Sequence, residues 1–190
     1  MEIKDFILAS GSPQRIALLR QIAYEPKAIQ PADIDEECLP HEMPLPYVRR
    51  MALEKAKAVA KLKENENILA CDTVVCVGSR IFHKAKDIEE QRKYMQLLSG
   101  RAHRVISSVC LINKNGKVSQ RTVSTKIVMK RMSKEEIEDY LQSGEWQGVC
   151  GYKIEGLLGG YVTKIVGSYS GVVGLPLSET MNLLKGEGIK

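Results

Sequence analysis

An aspartate lies inside one of the most apolar stretches of the chain. Asp72 interrupts residues 68–77, a valine-rich run that is typical of a buried strand. An unpaired buried carboxylate is costly, so its position needs an explanation. Either Asp72 caps a neighbouring loop from a strand end, or it faces a cleft from the carboxyl end of a strand, as a metal ligand or general base.

A second segment has the groups needed to bind an anion. Residues 10–15, Ser-Gly-Ser-Pro-Gln-Arg, follow a predicted strand and open a predicted helix. Free backbone N–H groups, hydroxyls and a guanidinium would surround one point there, which is how proteins hold phosphates. An ordinary capped strand-to-helix turn is the alternative interpretation.

Other charged residues add to these candidates. Residues 33–37, Asp-Ile-Asp-Glu-Glu, form an acidic predicted loop that is either simply solvated or shares a divalent ion with Asp72. Lys55 lies on a predicted helix, and Lys84 follows a short predicted strand soon after Asp72. Surface lysines are abundant, so neither lysine indicates a site by itself.

Strand and helix patterns alternate along the chain and would position these groups. Predicted strands span residues 3–9, 68–77, 80–82, 103–112, 117–129 and 161–166, and the Asn-Gly pair at 115–116 predicts a hairpin. Predicted helices open at Pro13 and span 47–63, 87–98, the segment from the Ser133 capping box to Leu141, and about 177–184. Gly-Ser-Tyr-Ser-Gly at 167–171 is predicted as a turn. The pattern favours a three-layer α/β fold with a mixed, twisted sheet flanked by helices.

Composition argues against several classes of protein. The 190 residues carry a net charge of +5 without dense basic runs, which suits a phosphate-bearing ligand better than nucleic acid. The sequence has no run of about 18 apolar residues, so no membrane span is predicted, and no signal peptide is expected. The five cysteines are odd in number and form no C-x-x-C pair, which predicts reduced thiols and a cytoplasmic protein.

Taken in order, the motifs resemble those of the Maf family of nucleoside triphosphate pyrophosphatases over essentially the whole chain. They begin with Leu-Ala-Ser-Gly-Ser-Pro-Gln-Arg at 8–15, Asp-Ile-Asp-Glu at 33–36, Glu-Lys-Ala at 54–56 and Cys-Asp-Thr-Val-Val at 71–75. They continue with Lys84, Leu-Ser-Gly at 98–100 with His103, Gly-Glu at 144–145, Gly-Tyr-Lys-Ile-Glu-Gly at 151–156, Gly-Ser-Tyr at 167–169 and Val-Gly-Leu-Pro-Leu at 173–177. Several independent blocks in this order make a chance match improbable.

The resemblance implies a fold, a reaction and a set of partners. The fold would be Maf/ITPase-like α/β, a single domain over residues 1–190 with two lobes around a central cleft, in a protein that is commonly a homodimer. The reaction would be hydrolysis of a nucleoside triphosphate to its monophosphate and pyrophosphate with Mg²⁺ or Mn²⁺. The substrates would be non-canonical or surplus nucleotides, with no nucleic acid or membrane as partner.

The resemblance also implies roles for individual residues. Asp72 matches the proton acceptor that activates water, Glu36 matches a carboxylate that assists the metal or the water, and both are the implied metal ligands. Lys55 and Lys84 match basic catalytic positions that neutralise the triphosphate and its developing charge. Residues that match the phosphate-binding positions are Ser10, Ser12 and Arg15.

Three positions linked to base selectivity in the family disagree with one another here. Thr73 matches the members that act on dTTP and UTP, but Gln14 stands where those members have an arginine. Glu155 replaces their glutamine and is similar to the 7-methyl-GTP-type members. A glutamate only accepts hydrogen bonds, whereas a glutamine both donates and accepts. The resemblance therefore leaves two base classes open.

Two other functions compete with the enzyme. The family is also associated with inhibition of septum formation, so the cleft could sense a nucleotide with little turnover. A sequence-independent nucleic-acid binder driven by the charge of +5 would lose affinity steeply with salt. The complete set of Asp72, Lys55, Lys84 and Arg15 favours the enzyme.

Overall fold

A seven-stranded mixed sheet is the centre of the structure, a computed structural model in which residues 2–189 are described. The strands are β1 (Ile3–Leu8), β2 (Glu25–Ile29), β3 (Ile68–Val77), β4 (Arg80–Phe82), β5 (Ala102–Ile112), β6 (Val118–Met129) and β7 (Val162–Val166). Their order is β2-β1-β3-β5-β6-β7, and β4 pairs with β3 outside that path. β1 runs parallel to β2 and β3, while β3, β5, β6 and β7 are successively antiparallel.

Helices cover both faces of the sheet, which confirms the predicted fold class. They are α1 (Pro13–Gln21), α2 (Pro44–Leu62), α3 (Ile88–Leu98), α4 (Lys134–Gln142), α5 (Tyr169–Val173) and α6 (Leu177–Gly186), with a 3₁₀ turn at Leu157–Tyr161. The apolar stripe of α2 packs alone on one face, where Ala56 and Val59 meet Ile68 and Ala70. The other helices pack on the opposite face. The division of residues 1–190 into two lobes stays a prediction.

Local signals set most of the element boundaries. The Ser133 capping box is present in full, since the Ser133 side chain accepts from the Glu136 N–H and the Glu136 carboxylate accepts from the Ser133 N–H. The Asp87 side chain likewise caps α3. No helix within residues 2–189 is long and apolar enough to cross a membrane.

Two elements differ from the sequence prediction. β2 was missed because its sequence, Glu-Pro-Lys-Ala-Ile, is short, contains a proline and lies at the sheet edge, where alternation is weak. Residues 169–173 form the short helix α5 and not a simple turn. The Ser168 side chain caps it by accepting from the Gly171 N–H, a contact that glycine-rich sequence alone does not indicate.

The outer edge of β3 is interrupted, and this interruption creates the central cleft. β5 pairs with β3 along residues 68–76 on one edge. The other edge is shared by β1, which pairs only with Ile68 and Leu69, and by β4, which pairs only with residues 75–77. The strand edge between these two partners is open. Side chains of successive residues there point to opposite faces of the sheet, so groups from both faces can reach the gap.

The β5–β6 hairpin supplies a test of the turn chemistry. Gly116 has a φ of +78° and open space where a side chain would be, so Gly116→Ala introduces backbone strain without a clash. We expect a loss of about 1 kcal/mol in the free energy of unfolding, measured with urea. Gly160→Ala is the matched control, because Gly160 also has open space but no left-handed backbone. An equal loss in both variants would contradict this account of the turn.

Candidate active site

All ten residues singled out from the sequence line a single cleft with a volume of about 450 Å³. They come from the loop after β1, the first turn of α1, the acidic loop, α2, β3, the segment after β4 and the loop before the 3₁₀ turn; the residues are Ser10, Ser12, Gln14, Arg15, Glu36, Lys55, Asp72, Thr73, Lys84 and Glu155. The structure thus brings together residues up to 145 positions apart in the sequence, from Ser10 to Glu155. Their chemical roles stay predictions.

Asp72 lies in the middle of a strand, which corrects both interpretations that placed it at a strand end. It is the fifth residue of the ten-residue β3 and pairs with Ser108 of β5. It nevertheless faces the cleft, because β1 ends beside Leu69 and leaves the edge of β3 open beyond that point. A single sequence does not show where a neighbouring strand stops.

A lysine from α2 neutralises Asp72. Lys55 Nζ donates to Asp72 Oδ1 and to Glu36 Oε2, each over 2.7 Å, and both Lys55 and Asp72 are buried. Burial opposes the charge on Lys55, but the two carboxylates outweigh it and raise the lysine pKa, so the side chain stays cationic at neutral pH. One ammonium group therefore bridges the two carboxylates.

The acidic loop is held against α2 by three side chains. Tyr47 Oη donates to the Glu36 carbonyl over 2.8 Å, and Arg50 donates to the Glu37 carbonyl over 2.9 Å. Arg50 is itself fixed by two short hydrogen bonds to the Glu42 carboxylate. These contacts, together with the ion pair to Lys55, place Glu36 beside the cleft although its side chain is exposed. The loop is therefore ordered by its neighbours and is more than a solvated acidic segment.

The segment between β1 and α1 has the features of an anion site. Ser12 is the N-cap of α1 but makes no side-chain cap, which leaves the N–H groups of the first turn free for a ligand. Arg15 Nη1 donates to Ser10 Oγ over 3.0 Å, and Arg15 Nε donates to the Gly174 carbonyl over 2.9 Å. Arg15 forms no ion pair within residues 2–189, so its charge is available to a bound anion.

The loop over residues 148–156 forms the opposite wall of the cleft. Its backbone joins the Lys84 segment through a bridge between Lys84 and Cys150. Gly151 has a φ of +73°, and a side chain there would come within 3.0 Å of Val75 Cγ2. The fully buried Gln91 of α3 donates to the Gly151 carbonyl over 2.6 Å. These contacts fix the position of the wall that carries Glu155.

Tyr152 on the same wall is anchored by a histidine. Its hydroxyl lies 2.7 Å from His103 Nε2, and burial lowers the pKa of His103 to about 4, so the imidazole is neutral at pH 7. His103 is therefore a structural histidine that anchors Tyr152. Two other aromatic side chains that could stack on a base do not line the cleft: Trp146 is buried in the core, and Tyr169 is exposed outside the cleft lining.

Sequence reasoning missed several residues of the cleft. Lys153 and Cys150 line it, and burial raises the pKa of the Cys150 thiol to about 11, so the thiol is protonated at neutral pH. Ser107 lies behind Thr73 and does not line the cleft. The only sequence signal for Lys153 and Cys150 was the glycine-rich spacing at 148–156. Ser107 is placed only by the register of β5 against β3.

The cleft in this mixed sheet gathers cations, two carboxylates and a helix N-terminus. This combination is typical of α/β proteins that process nucleotides or phosphates. The sequence matches the family described as Maf-like protein over residues 5–187, and the chain belongs to this family. It is 50% identical over 195 aligned positions to the dTTP/UTP pyrophosphatase of Mesorhizobium japonicum, covering 99% of this chain and 94% of the relative. It is 49% identical to the dTTP/UTP pyrophosphatase of Paramagnetospirillum magneticum, covering 96% of each.

Among solved structures, the chain is similar to the Ham1 protein of Staphylococcus aureus. The sequence identity is 16%, the TM-score is 0.47, and the match covers 68% of this chain and 72% of the other. The structural match therefore covers only part of each chain.

The ion pair of Asp72 and Lys55 makes a specific prediction for stability. Lys55→Met leaves Asp72 buried without a cation, and we expect a loss of roughly 3 kcal/mol in the free energy of unfolding measured with urea. Lys57→Met, an exposed position on the same helix, is the control and should change little. The double variant Lys55→Met, Asp72→Leu should recover much of the loss, and a double variant as unstable as Lys55→Met would argue against the pair.

The anchor of Tyr152 makes a prediction for pH dependence. Because the pKa of His103 is lowered to about 4 in the folded state, the unfolded chain binds a proton first as pH falls below about 6.5. Folding stability is therefore lost from about pH 6.5 down to about pH 4, with about 2 kcal/mol gone by pH 5. Urea titrations of wild type and His103→Gln at pH 7 and pH 5 isolate this contribution. Identical pH dependence in the two proteins would exclude it.

Proposed function

We propose that this protein hydrolyses nucleoside triphosphates to the monophosphate and pyrophosphate, with dTTP and UTP as its preferred substrates. The observation that carries the proposal is the convergence of the phosphate-binding, cationic and carboxylate groups on one cleft. Relatives that share about half of the residues over nearly the whole chain are named dTTP/UTP pyrophosphatases. The name of a relative supports the base preference, and the chemistry of the cleft supports the reaction.

The triphosphate is proposed to lie along the cationic side of the cleft. The first turn of α1 offers free N–H groups, and Arg15 and Lys84 offer charges with no carboxylate partner within the described residues. Such groups bind the phosphate oxygens and offset the charge that develops as the leaving pyrophosphate forms. Ser10 and Ser12 contribute hydroxyls at the same point, since Ser10 Oγ contacts both Arg15 and the Ser12 N–H.

Asp72 is the proposed general base. Its Oδ1 is held by Lys55, and within residues 2–189 no hydrogen bond engages Oδ2, which can accept a proton. A water between Asp72 and the α-phosphorus would transfer its proton to Oδ2 as its oxygen bonds to phosphorus. The bond between the α-phosphorus and the bridging oxygen then breaks, and pyrophosphate leaves with the electron pair. Lys55 holds Oδ1 of this carboxylate in place through its hydrogen bond, which leaves Oδ2 facing the reaction.

A divalent cation, Mg²⁺ or Mn²⁺, fits this arrangement as a companion of the substrate. Asp72 and Glu36 contact the same Lys55 nitrogen, so their carboxylates lie close together and could both hold a cation. No group of three or more metal-ligating side chains occurs in the described part of the chain, and Mg²⁺ is commonly held by one or two carboxylates plus substrate phosphates. When bound, the ion would screen the phosphate charge from an incoming nucleophile.

The base preference depends on three residues, which are fewer than the groups that support the reaction. Thr73 lies in the cleft beside Asp72, whereas Glu155 is exposed at its rim and Gln14 accepts from Ser12 Oγ over 3.2 Å. An exposed carboxylate accepts from the N–H groups of uracil and of 7-methylguanine alike, so Glu155 does not decide between the two base classes. We therefore assign the main selectivity to Thr73.

A homodimer in the cytoplasm is proposed as the working form. The dimer is supported by the family resemblance, and the location by five free thiols. Light scattering after size exclusion would test the oligomeric state.

The reaction is tested by pyrophosphate release from a panel of canonical and modified triphosphates with Mg²⁺ or Mn²⁺. We expect the greatest kcat/KM for dTTP and UTP and a loss of at least about 10³-fold in Asp72→Asn, which keeps the shape but cannot accept the proton. Asp139→Asn, an exposed carboxylate on α4, is the control. Preference for 7-methyl-GTP would contradict the base assignment, and tight nucleotide binding without turnover would favour a nucleotide sensor.

A further inference from the structure

A chain of hydroxyls leads from the cleft into the core behind Thr73. Thr73 Oγ1 lies 2.7 Å from Ser107 Oγ of β5, and Ser107 Oγ lies 2.6 Å from the Gly171 carbonyl of α5. Thr73 is half-buried in the cleft lining, while Ser107 is 1% exposed. A bound nucleotide can therefore reach the threonine hydroxyl but not the serine hydroxyl.

The distances fix the direction of the protons along this chain. The Gly171 carbonyl can only accept, and two oxygens 2.6 Å apart require a proton between them, so Ser107 donates its single proton to Gly171. Ser107 Oγ must then accept at its 2.7 Å contact, and Thr73 is the donor there. The alternative acceptor for Thr73, the Gly174 carbonyl, lies at 3.4 Å and is a weaker contact.

The consequence is that Thr73 presents only lone pairs to the cleft, because its one proton is committed to Ser107. Phosphate oxygens are acceptors and gain nothing from such a group. The donors of a thymidine or uridine nucleotide are the N3–H of the base imide and the hydroxyls of the sugar. Cytosine has an acceptor at N3, which would face the Thr73 lone pairs and be repelled.

We infer that Ser107 is a positioning residue for base selection: it holds the Thr73 hydroxyl as an acceptor, so that the site takes pyrimidines with an imide N3–H and rejects those with an unprotonated N3. The inference rests on the proposed function and adds to it a residue outside the cleft. Ser107 acts through Thr73 and contacts no substrate atom.

The test compares kcat/KM for dTTP with that for dCTP in wild type and in Ser107→Ala. Without Ser107, the Thr73 hydroxyl is free to rotate and donate, so we expect the preference for dTTP over dCTP to fall by about 3- to 10-fold, the size of one hydrogen bond. Ser107→Thr keeps the hydroxyl and should restore the preference. In a Thr73→Val background, Ser107→Ala should leave the ratio unchanged.

Ser108→Ala is the matched control, because Ser108 is its buried neighbour on β5 but bonds to Thr122 and the Arg121 carbonyl on β6. An equal fall in the dTTP preference for Ser107→Ala and Ser108→Ala, or no fall in Ser107→Ala, would overturn the inference. A change in the ratio of dTTP to its 3′-deoxy analogue, with the dTTP to dCTP ratio intact, would assign the donor to the sugar and overturn the imide assignment.

The same variants are titrated by calorimetry with α,β-imido-dTTP and α,β-imido-dCTP, which resist cleavage at the bond in question. This gives the base preference as a ratio of affinities even if wild type shows no turnover. Absence of turnover with a Ser107-dependent ratio would remove the proposed reaction and keep the inference. Turnover of dTTP with an affinity ratio that does not depend on Ser107 would keep the proposed reaction and overturn the inference.

Discussion

The ion pair between Lys55 and Asp72 is the interaction on which the site depends. An ionised carboxylate in the middle of an apolar strand is stable only with a cation beside it, and α2 supplies that cation from the adjoining layer. The same nitrogen holds Glu36, so one side chain sets the position of both carboxylates. α2 also orders the acidic loop through Tyr47 and Arg50. One helix therefore supplies Lys55 and, through it, holds Asp72 and Glu36, which makes three of the four candidate catalytic residues.

The sheet makes this arrangement accessible to a ligand. If β1 continued to pair beyond Leu69, or if β4 extended past Phe82 to pair with residues before Val75, the β3 edge beside Asp72 would be closed. Because the edge is open there, alternate side chains reach the cleft from opposite faces: Asp72 contacts Lys55 on one face, and Thr73 contacts Gly174 on the other. The Gly174 carbonyl also accepts from Arg15, so the segment after α5 joins the segment between β1 and α1 to the strand that carries Thr73.

Most of the fold could be predicted from local pattern. The valine-rich run of β3, the Asn-Gly turn at 115–116 and the capping box at Ser133 each contain enough local information to define an element. β2 and α5 could not be predicted in this way. β2 is an edge strand held by its pairing with β1, and α5 is a single capped turn whose Gly171 packs against Val123 and Ser168. β2 owes its conformation to a strand that is distant in the sequence, whereas α5 combines its local Ser168 cap with contacts to Ser107 and Thr125 on distant strands.

The sequence by itself determined which residue types were present and in what order, and the order of the motifs was sufficient to indicate the family and ten of the residues that line the cleft. Only the tertiary structure decided how they interact. The register of β3 against β1 determines that a mid-strand Asp72 is accessible, and the register of β5 places Ser107 behind Thr73. The physical reason is that hydrogen-bond direction and charge pairing depend on distances between atoms, and those distances exist only after strands and helices far apart in the sequence have packed together.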